Sequence, residues 1–129
     1  MRDVDVTRKT ELEAGLTARE LYPGTIVVAV LGDCDLAVAG DLESALSAAV
    51  GGGATRIVVD LREAAMVDSS ALHALLAGRE RAAERHAELT VVCDRPSIVR
   101  VLELTGIDRL IPIQATLEQA TDATRHAAG

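Results

Sequence analysis

The stretch Thr55–Gly78 reads TRIVVDLREAAMVDSSALHALLAG, and a strand-like run passes within it into a helix-like one. It opens with Thr55–Leu61, a short apolar run rich in β-branched residues and without alternation, the pattern of a strand buried on both faces. It closes with Leu72, Leu75 and Leu76 at helical spacing, a face that Ala83 continues. Arg79, Glu80, Arg81, Glu84 and Arg85 supply the solvated flank of a helix that the spacing predicts from Ser70 to about Ala87. REAAMVD, between the two, reads as a short connection. A buried strand feeding an amphipathic helix is one half of a βαβ unit, and Asp68, Ser69 and Ser70 sit at the junction.

The same unit repeats on either side. Upstream, Thr25–Gly32 (TIVVAVLG) is a central strand bounded by Gly24 and Gly32. The residues before it, Leu16–Leu21, pair with it as an edge strand through the Pro23–Gly24 turn. Leu42, Ala45, Leu46, Ala49 and Val50 then form one helical face, with Asp41 as N-cap and Gly51–Gly53 as the stop. Downstream, Glu88–Asp94 is a third strand. Pro96 opens a helix with Ile98, Val101, Leu102 and Thr105 on its apolar side, closed by Gly106. RLIPIQ is a fourth strand, held to an edge by Pro112, and a last helix runs from Thr116 to about His126. The expectation is an α/β fold: a largely parallel sheet of four to five strands with one antiparallel edge strand and about four helices. Right-handed crossovers would leave partner-facing loops at the carboxyl ends of the strands.

Composition narrows what such a domain does. The chain has 129 residues, 49% of them hydrophobic and 26% charged, which suits one domain with one core. Its formal net charge is −7, and its only aromatic residue is Tyr22. That surface repels phosphate backbones and anionic lipid and offers no platform for stacking bases, so a protein partner fits better than nucleic acid or membrane. The polar start, residues 1–12, reads as a mobile tail before a domain spanning 13–129. With no hydrophobic signal region, the cytoplasm is the expected compartment. Cys34 and Cys93 are then expected to be buried free thiols.

Several chemistries can be weighed residue by residue. Asp33 and Asp35, in GDCD just after the central strand, have the placement of the carboxylate pair in haloacid dehalogenase-type phosphatases and phosphoacceptor receivers. Both of those families use a lysine at the phosphoryl site, and no lysine follows Lys9. The alternative is a strand-exit loop in which Asp33 accepts backbone hydrogen bonds and Asp35 or Asp41 starts the next helix. His73, His86 and His126 stand apart without ligand spacing and read as surface residues, so neither metal nor cofactor is expected. Ser70 and His73 on one helical turn make no nucleophile elbow, and GGG at 51–53 follows a helix rather than a strand; no catalytic residue is assigned.

The DSSA junction remains. One side chain, Asp68 or Ser69, is enough to cap the helix. Successive helical residues point about 100° apart, so the two serines do different jobs, and an exposed one could accept a phosphate carrying about −1.5 to −2 charges.

GDCDLAVAGDLESAL, IVVDLREAAMVDSSALHALL and LTVVCDRPSIVRVLELTGIDRLIPI, in this order, resemble the anti-sigma factor antagonists, the single-domain STAS proteins, along roughly Leu16 to Thr121. The resemblance implies a STAS-type fold and a non-enzymatic, cytoplasmic partner-switching protein. Unphosphorylated, such a protein binds an anti-sigma factor that is also a serine kinase and so releases a sigma factor. The kinase ends the binding by phosphorylation, and a serine phosphatase restores it. In that family the acceptor is the second hydroxyl residue of the aspartate-serine-serine/threonine-glycine motif, which matches Ser70. Asp33, Asp35, Asp68, Ser69 and Ala71 are then expected at the contact surface, with Ser69 as helix cap and Asp68 orienting the acceptor or meeting the kinase. Ala71 stands where the family usually has glycine, and Asp33 where glutamate is commoner. The expected state is a monomer or weak homodimer. The other reading is a non-phosphorylated scaffold or transporter-associated module in which the serines only cap the helix.

Overall fold

The computed structural model describes residues 9–13 and 15–121. Eight strands and three longer helices follow one another as β1 (Lys9–Glu13), β2 (Leu16–Tyr22), β3 (Thr25–Val30), β4 (Gly32–Cys34), α1 (Leu36–Gly51), β5 (Arg56–Asp60), β6 (Ala64–Val67), α2 (Ser69–Glu84), β7 (Glu88–Val92), α3 (Pro96–Leu104) and β8 (Ile113–Gln114). A short 3-10 turn, Ile107–Arg109, links α3 to β8, and residues 117–121 begin a fourth helix. The expected extension of that helix to Thr124 and His126 lies outside the described residues.

The main sheet has six strands in the order β1-β2-β3-β5-β7-β8. β1 and β2, and β2 and β3, pair antiparallel; the other three pairings are parallel. The α/β class and the antiparallel edge are as the sequence implies. The strand count is higher because Lys9–Glu13, read within a tail over residues 1–12, pairs with β2. β2 is therefore an inner strand, and residues 1–8 lie outside the described residues.

Alternation along the central strands assigns the two faces of the sheet. Ile26, Val28 and Val30 of β3, Ile57 and Val59 of β5, and Leu89 and Val91 of β7 turn to the large core, beneath Leu42, Leu46, Leu75, Ile98 and Leu102 of the helices. Val27, Val58 and Val92 turn the other way and make a smaller cluster with Ala120, flanked by Leu21 and Leu117. Both faces are covered, which is why these strands read as continuous apolar runs. α1 and α2 lie side by side and meet closely at Gly78, where an added Cβ would stand 2.5 Å from Cδ1 of the fully buried Leu46.

Two sequence readings need correction. Asp41, read as the N-cap of the first helix, lies inside α1, which begins at Leu36 with Asp35 as its cap. Of the two aspartates weighed as the start of this helix it is Asp35, whose carboxylate accepts from the Val38 N–H in the first turn. REAAMVD is not a plain connection. Its last part is β6, which pairs in parallel with β4 as a separate two-stranded ladder with Gly32 opposite Ala64, Asp33 opposite Met66 and Cys34 opposite Val67.

Candidate functional site

The small β4–β6 ladder draws together two loops about thirty residues apart in sequence. Each of its strands runs one residue further into an aspartate that caps a helix: Cys34 leads to Asp35 and α1, Val67 to Asp68 and α2. The two helix starts thus leave the ladder side by side. The first turn of each presents free N–H groups that a carboxylate satisfies, with the helix dipole adding to the attraction.

At α1 the arrangement is minimal. The Asp35 side chain accepts from the Val38 N–H at 3.1 Å. At α2 it is denser. One oxygen of Asp68 accepts from the Ser70 N–H at 3.0 Å, the Ala71 N–H at 3.1 Å and the Ser70 hydroxyl at 2.5 Å. The Ser70 hydroxyl, followed by the two N–H groups, holds the Asp68 carboxyl below the usual carboxylate range. The cap is therefore Asp68, and Ser69, expected in that role, is the first residue of the helix. A carboxylate in extended backbone just outside the helix receives both N–H groups in charge-assisted bonds, which leaves Ser69 nothing to cap.

Asp33, Asp35 and Ser69 are exposed, and Asp68 and Ser70 are half-buried. Cys34 lies buried among them. Burial, reinforced by Asp68 and Asp35, pushes its thiol up to about 11, so it is a poor thiolate and an inert packing residue. Cys93 is also buried and free, its thiol likewise raised, chiefly by burial. Two large apolar side chains rise beside the carboxylates: Leu36, 75% exposed, and Met66, 39% exposed. Ala71 is not with them. At 1% exposure its methyl is packed in the core, not at the contact surface where the family resemblance implied it would stand. With its N–H on Asp68 and its side chain inside, Ala71 fixes the first turn from below.

Sequence reasoning missed Arg62. Its guanidinium grips Asp60 through Nε at 2.9 Å and Nη2 at 2.7 Å, and the Asp60 carboxylate holds it more firmly charged. One residue on, the Glu63 carbonyl accepts from the Gly32 N–H at 2.9 Å, so this fork stiffens the turn that delivers β6 to β4. The spacing Asp60-x-Arg62 at a strand exit was the available signal. His73 and His86 are exposed, as expected, and His126 lies outside the described residues.

A carboxylate-bound serine hydroxyl at an accessible helix start, rimmed by acid and by exposed Leu36 and Met66, is suited to two things. It can present a hydroxyl to an outside phosphoryl donor, and it can seat a partner with complementary charge. Among the described residues, no helix is long and apolar enough to cross a membrane.

Comparison with known proteins agrees with this architecture. The family model for the STAS domain matches residues 18–120. An anti-sigma factor antagonist from Mycobacterium paratuberculosis superposes with a TM-score of 0.77 at 31% identity, covering 85% of this chain and 92% of its own. SpoIIAA in its unphosphorylated form gives 0.75 at 20% identity, covering 86% and 96%; the phosphorylated form of the Bacillus cell fate determinant SpoIIAA gives 0.68 at 19%, covering 84% and 98%. In sequence alone, no curated protein matches significantly. By the span of the family model, and beside an anti-sigma factor antagonist with nearly a third of its residues identical, the chain belongs to the STAS domain family.

Proposed function

We propose that the protein is an anti-sigma factor antagonist switched by phosphorylation of Ser70. In its unmodified form it binds an anti-sigma factor that is also a serine kinase, releasing a sigma factor. The kinase transfers the γ-phosphoryl group of ATP to the Ser70 hydroxyl, and a serine phosphatase removes it. The protein acts in the cytoplasm and is the target of catalysis rather than its agent.

The observation that carries this reading is the 2.5 Å hydrogen bond from the Ser70 hydroxyl to Asp68, which aims one defined hydroxyl at the end of the molecule that also carries Asp33 and Asp35. Asp68, with its affinity for protons lowered, orients this hydroxyl and leaves the proton to a base of the kinase. A phosphate on Ser70 adds about −1.5 to −2 charges against Asp68 and beside Asp33 and Asp35. The same surface that attracts a basic partner then carries excess charge and bulk, and every 1.4 kcal/mol lost weakens binding about tenfold. A fold change is not required.

The test is incubation of the full chain with ATP and the anti-sigma factors of its own cell, followed by mass spectrometric mapping. One phosphoryl group on Ser70, absent from Ser70→Ala, is expected. Modification at Ser69 instead, or none by any of these kinases, refutes the assignment.

A further inference from the structure

A groove runs along the outer edge of the main sheet, between α3 and β8. It encloses about 580 Å³, within the roughly 300–1,000 Å³ typical of binding sites. Pro96, Val99 and Glu103 stand at helical spacing, so one stripe of α3 follows the groove, and Ile113 of β8 forms the facing wall. Val99 and Ile113 are half-buried against the large core, which makes the floor apolar.

β8 has a neighbouring strand on one side only. The Val91 N–H donates to the Pro112 carbonyl and the Cys93 N–H to the Gln114 carbonyl, both at 2.9 Å. Backbone groups alternate along a strand, so the N–H and C=O of Ile113, between those two carbonyls, point away from β7. Neither has a hydrogen-bond partner among the described residues. One residue of an antiparallel strand satisfies both at once, because a hydrogen-bonded pair exchanges two N–H···O bonds. The side chain of that residue lies on the same face as Ile113, which is the face toward the groove.

The rim of the groove is acidic. Asp94 at the exit of β7, Glu103 on α3 and Asp108 in the 3-10 turn line it with exposed side chains, and no Lys, Arg or His does. Among the described residues, none of the three carboxylates has an ion-pair partner or accepts a hydrogen bond. Arg62, which feels the charge of Asp94, is already bonded to Asp60. We propose that this edge binds an extended segment of a partner protein by strand addition, with an apolar residue opposite Ile113 and Arg or Lys two residues to either side. Side chains two apart in a strand share a face, so a basic-x-apolar-x-basic pattern lays its apolar residue on the floor and its cations on the rim. The main-chain bonds supply affinity, and the carboxylates select the sign of the charge. The groove shares no residue with the Ser70 site, so this binding is independent of the switch.

The probe is a capped seven-residue peptide with valine at its centre, arginine two residues to either side and serine elsewhere, titrated into the isotope-labelled full chain and followed by NMR. Saturable shifts of the Ile113 amide and the Val99 methyls, with the Ser70 amide unmoved, are expected. Replacing both arginines by glutamate, or methylating the valine nitrogen, weakens binding at least about tenfold. Glu103→Gln combined with Asp108→Asn, both at exposed positions, weakens it about two- to fivefold, and added salt does the same to the wild type. Absence of saturable shifts, or either altered peptide binding as tightly as the parent, overturns the proposal. So does an Ile113 amide shift that follows protein concentration without peptide, which would put a second copy of the chain at the edge. Because the peptides are compared on the wild type, a poorly folded variant leaves the answer intact.

Discussion

The two helix starts at the β4–β6 ladder form an internal experiment. Asp35 and Asp68 occupy the same place, each following a short parallel strand and capping the helix that succeeds it. After Asp35 come Leu36 and Ala37; after Asp68 come Ser69 and Ser70. α1 begins without any hydroxyl, so a hydroxyl is not what a helix needs at this position. What Ser70 adds is its own bond to the carboxylate and an oxygen available for chemistry. DSSA is therefore more than a cap, since the neighbouring helix is capped by aspartate alone.

Substitutions at Ser70 are expected to have the largest effect. If Ser70 lies in the proposed contact patch, Ser70→Asp is expected to lower affinity for the anti-sigma factor by tenfold or more, because charge is placed against Asp68. Ala37→Asp, the matching change at α1, is expected to lower it less, and equal losses in a titration calorimeter would show that only total charge matters.

Next in size is the contact that sets how closely the two helices lie. Gly78→Ala forces a methyl into Leu46; overpacking costs about 1–3 kcal/mol and helix propensity returns up to about 1, leaving a net loss of about 1 kcal/mol in denaturant unfolding. A stabilised variant would show that α1 and α2 separate freely.

The caps follow. Asp35→Ala removes a single backbone acceptor and is expected to cost about 0.5–1 kcal/mol. Asp68→Ala, which removes the acceptor of two N–H groups and a hydroxyl, is expected to lower Tm further than Asp35→Ala. The reverse order would mean that the two caps are not comparable.

The smallest effect is a pH dependence. The Asp68 carboxyl is lower in the folded state than its unfolded value of about 3.9, so its contribution is complete above that pH and is lost as pH falls through the folded value. Ser70→Ala removes the first cause of the lowering. The stability gap between wild type and Ser70→Ala is therefore expected to be constant near neutrality and to close in acid, measured by denaturant midpoints across pH. A gap that widens in acid would show that the hydroxyl does not act through Asp68.

Legibility in the sequence followed the range of the interactions involved. The buried strands and the amphipathic helices were readable because their signals are local: β-branched runs for β3, β5 and β7, and helical spacing for α2 and α3. β6 was not, because AAMV is four residues long, half exposed, and pairs with β4 only across a distant part of the chain. β1 was hidden by its polar composition, KTELE, which is common in a strand at a sheet edge but reads as tail. At the candidate site, Asp33, Asp35, Asp68 and Ser70 were singled out in the sequence, and the ladder brings them to one end of the molecule. That Asp68 rather than Ser69 caps, that Ala71 is buried, and that Arg62 clamps the turn all depend on side-chain direction, which a one-residue shift in a helix start reverses.

Ser70 is the proposed switch, and the measurement that tests it most directly is the Kd of the anti-sigma factor for two preparations of the same chain, unmodified and phosphorylated only at Ser70. An at least tenfold weaker complex for the phosphorylated chain, with unchanged far-UV circular dichroism, is the predicted result. Equal affinity of the two preparations would contradict it.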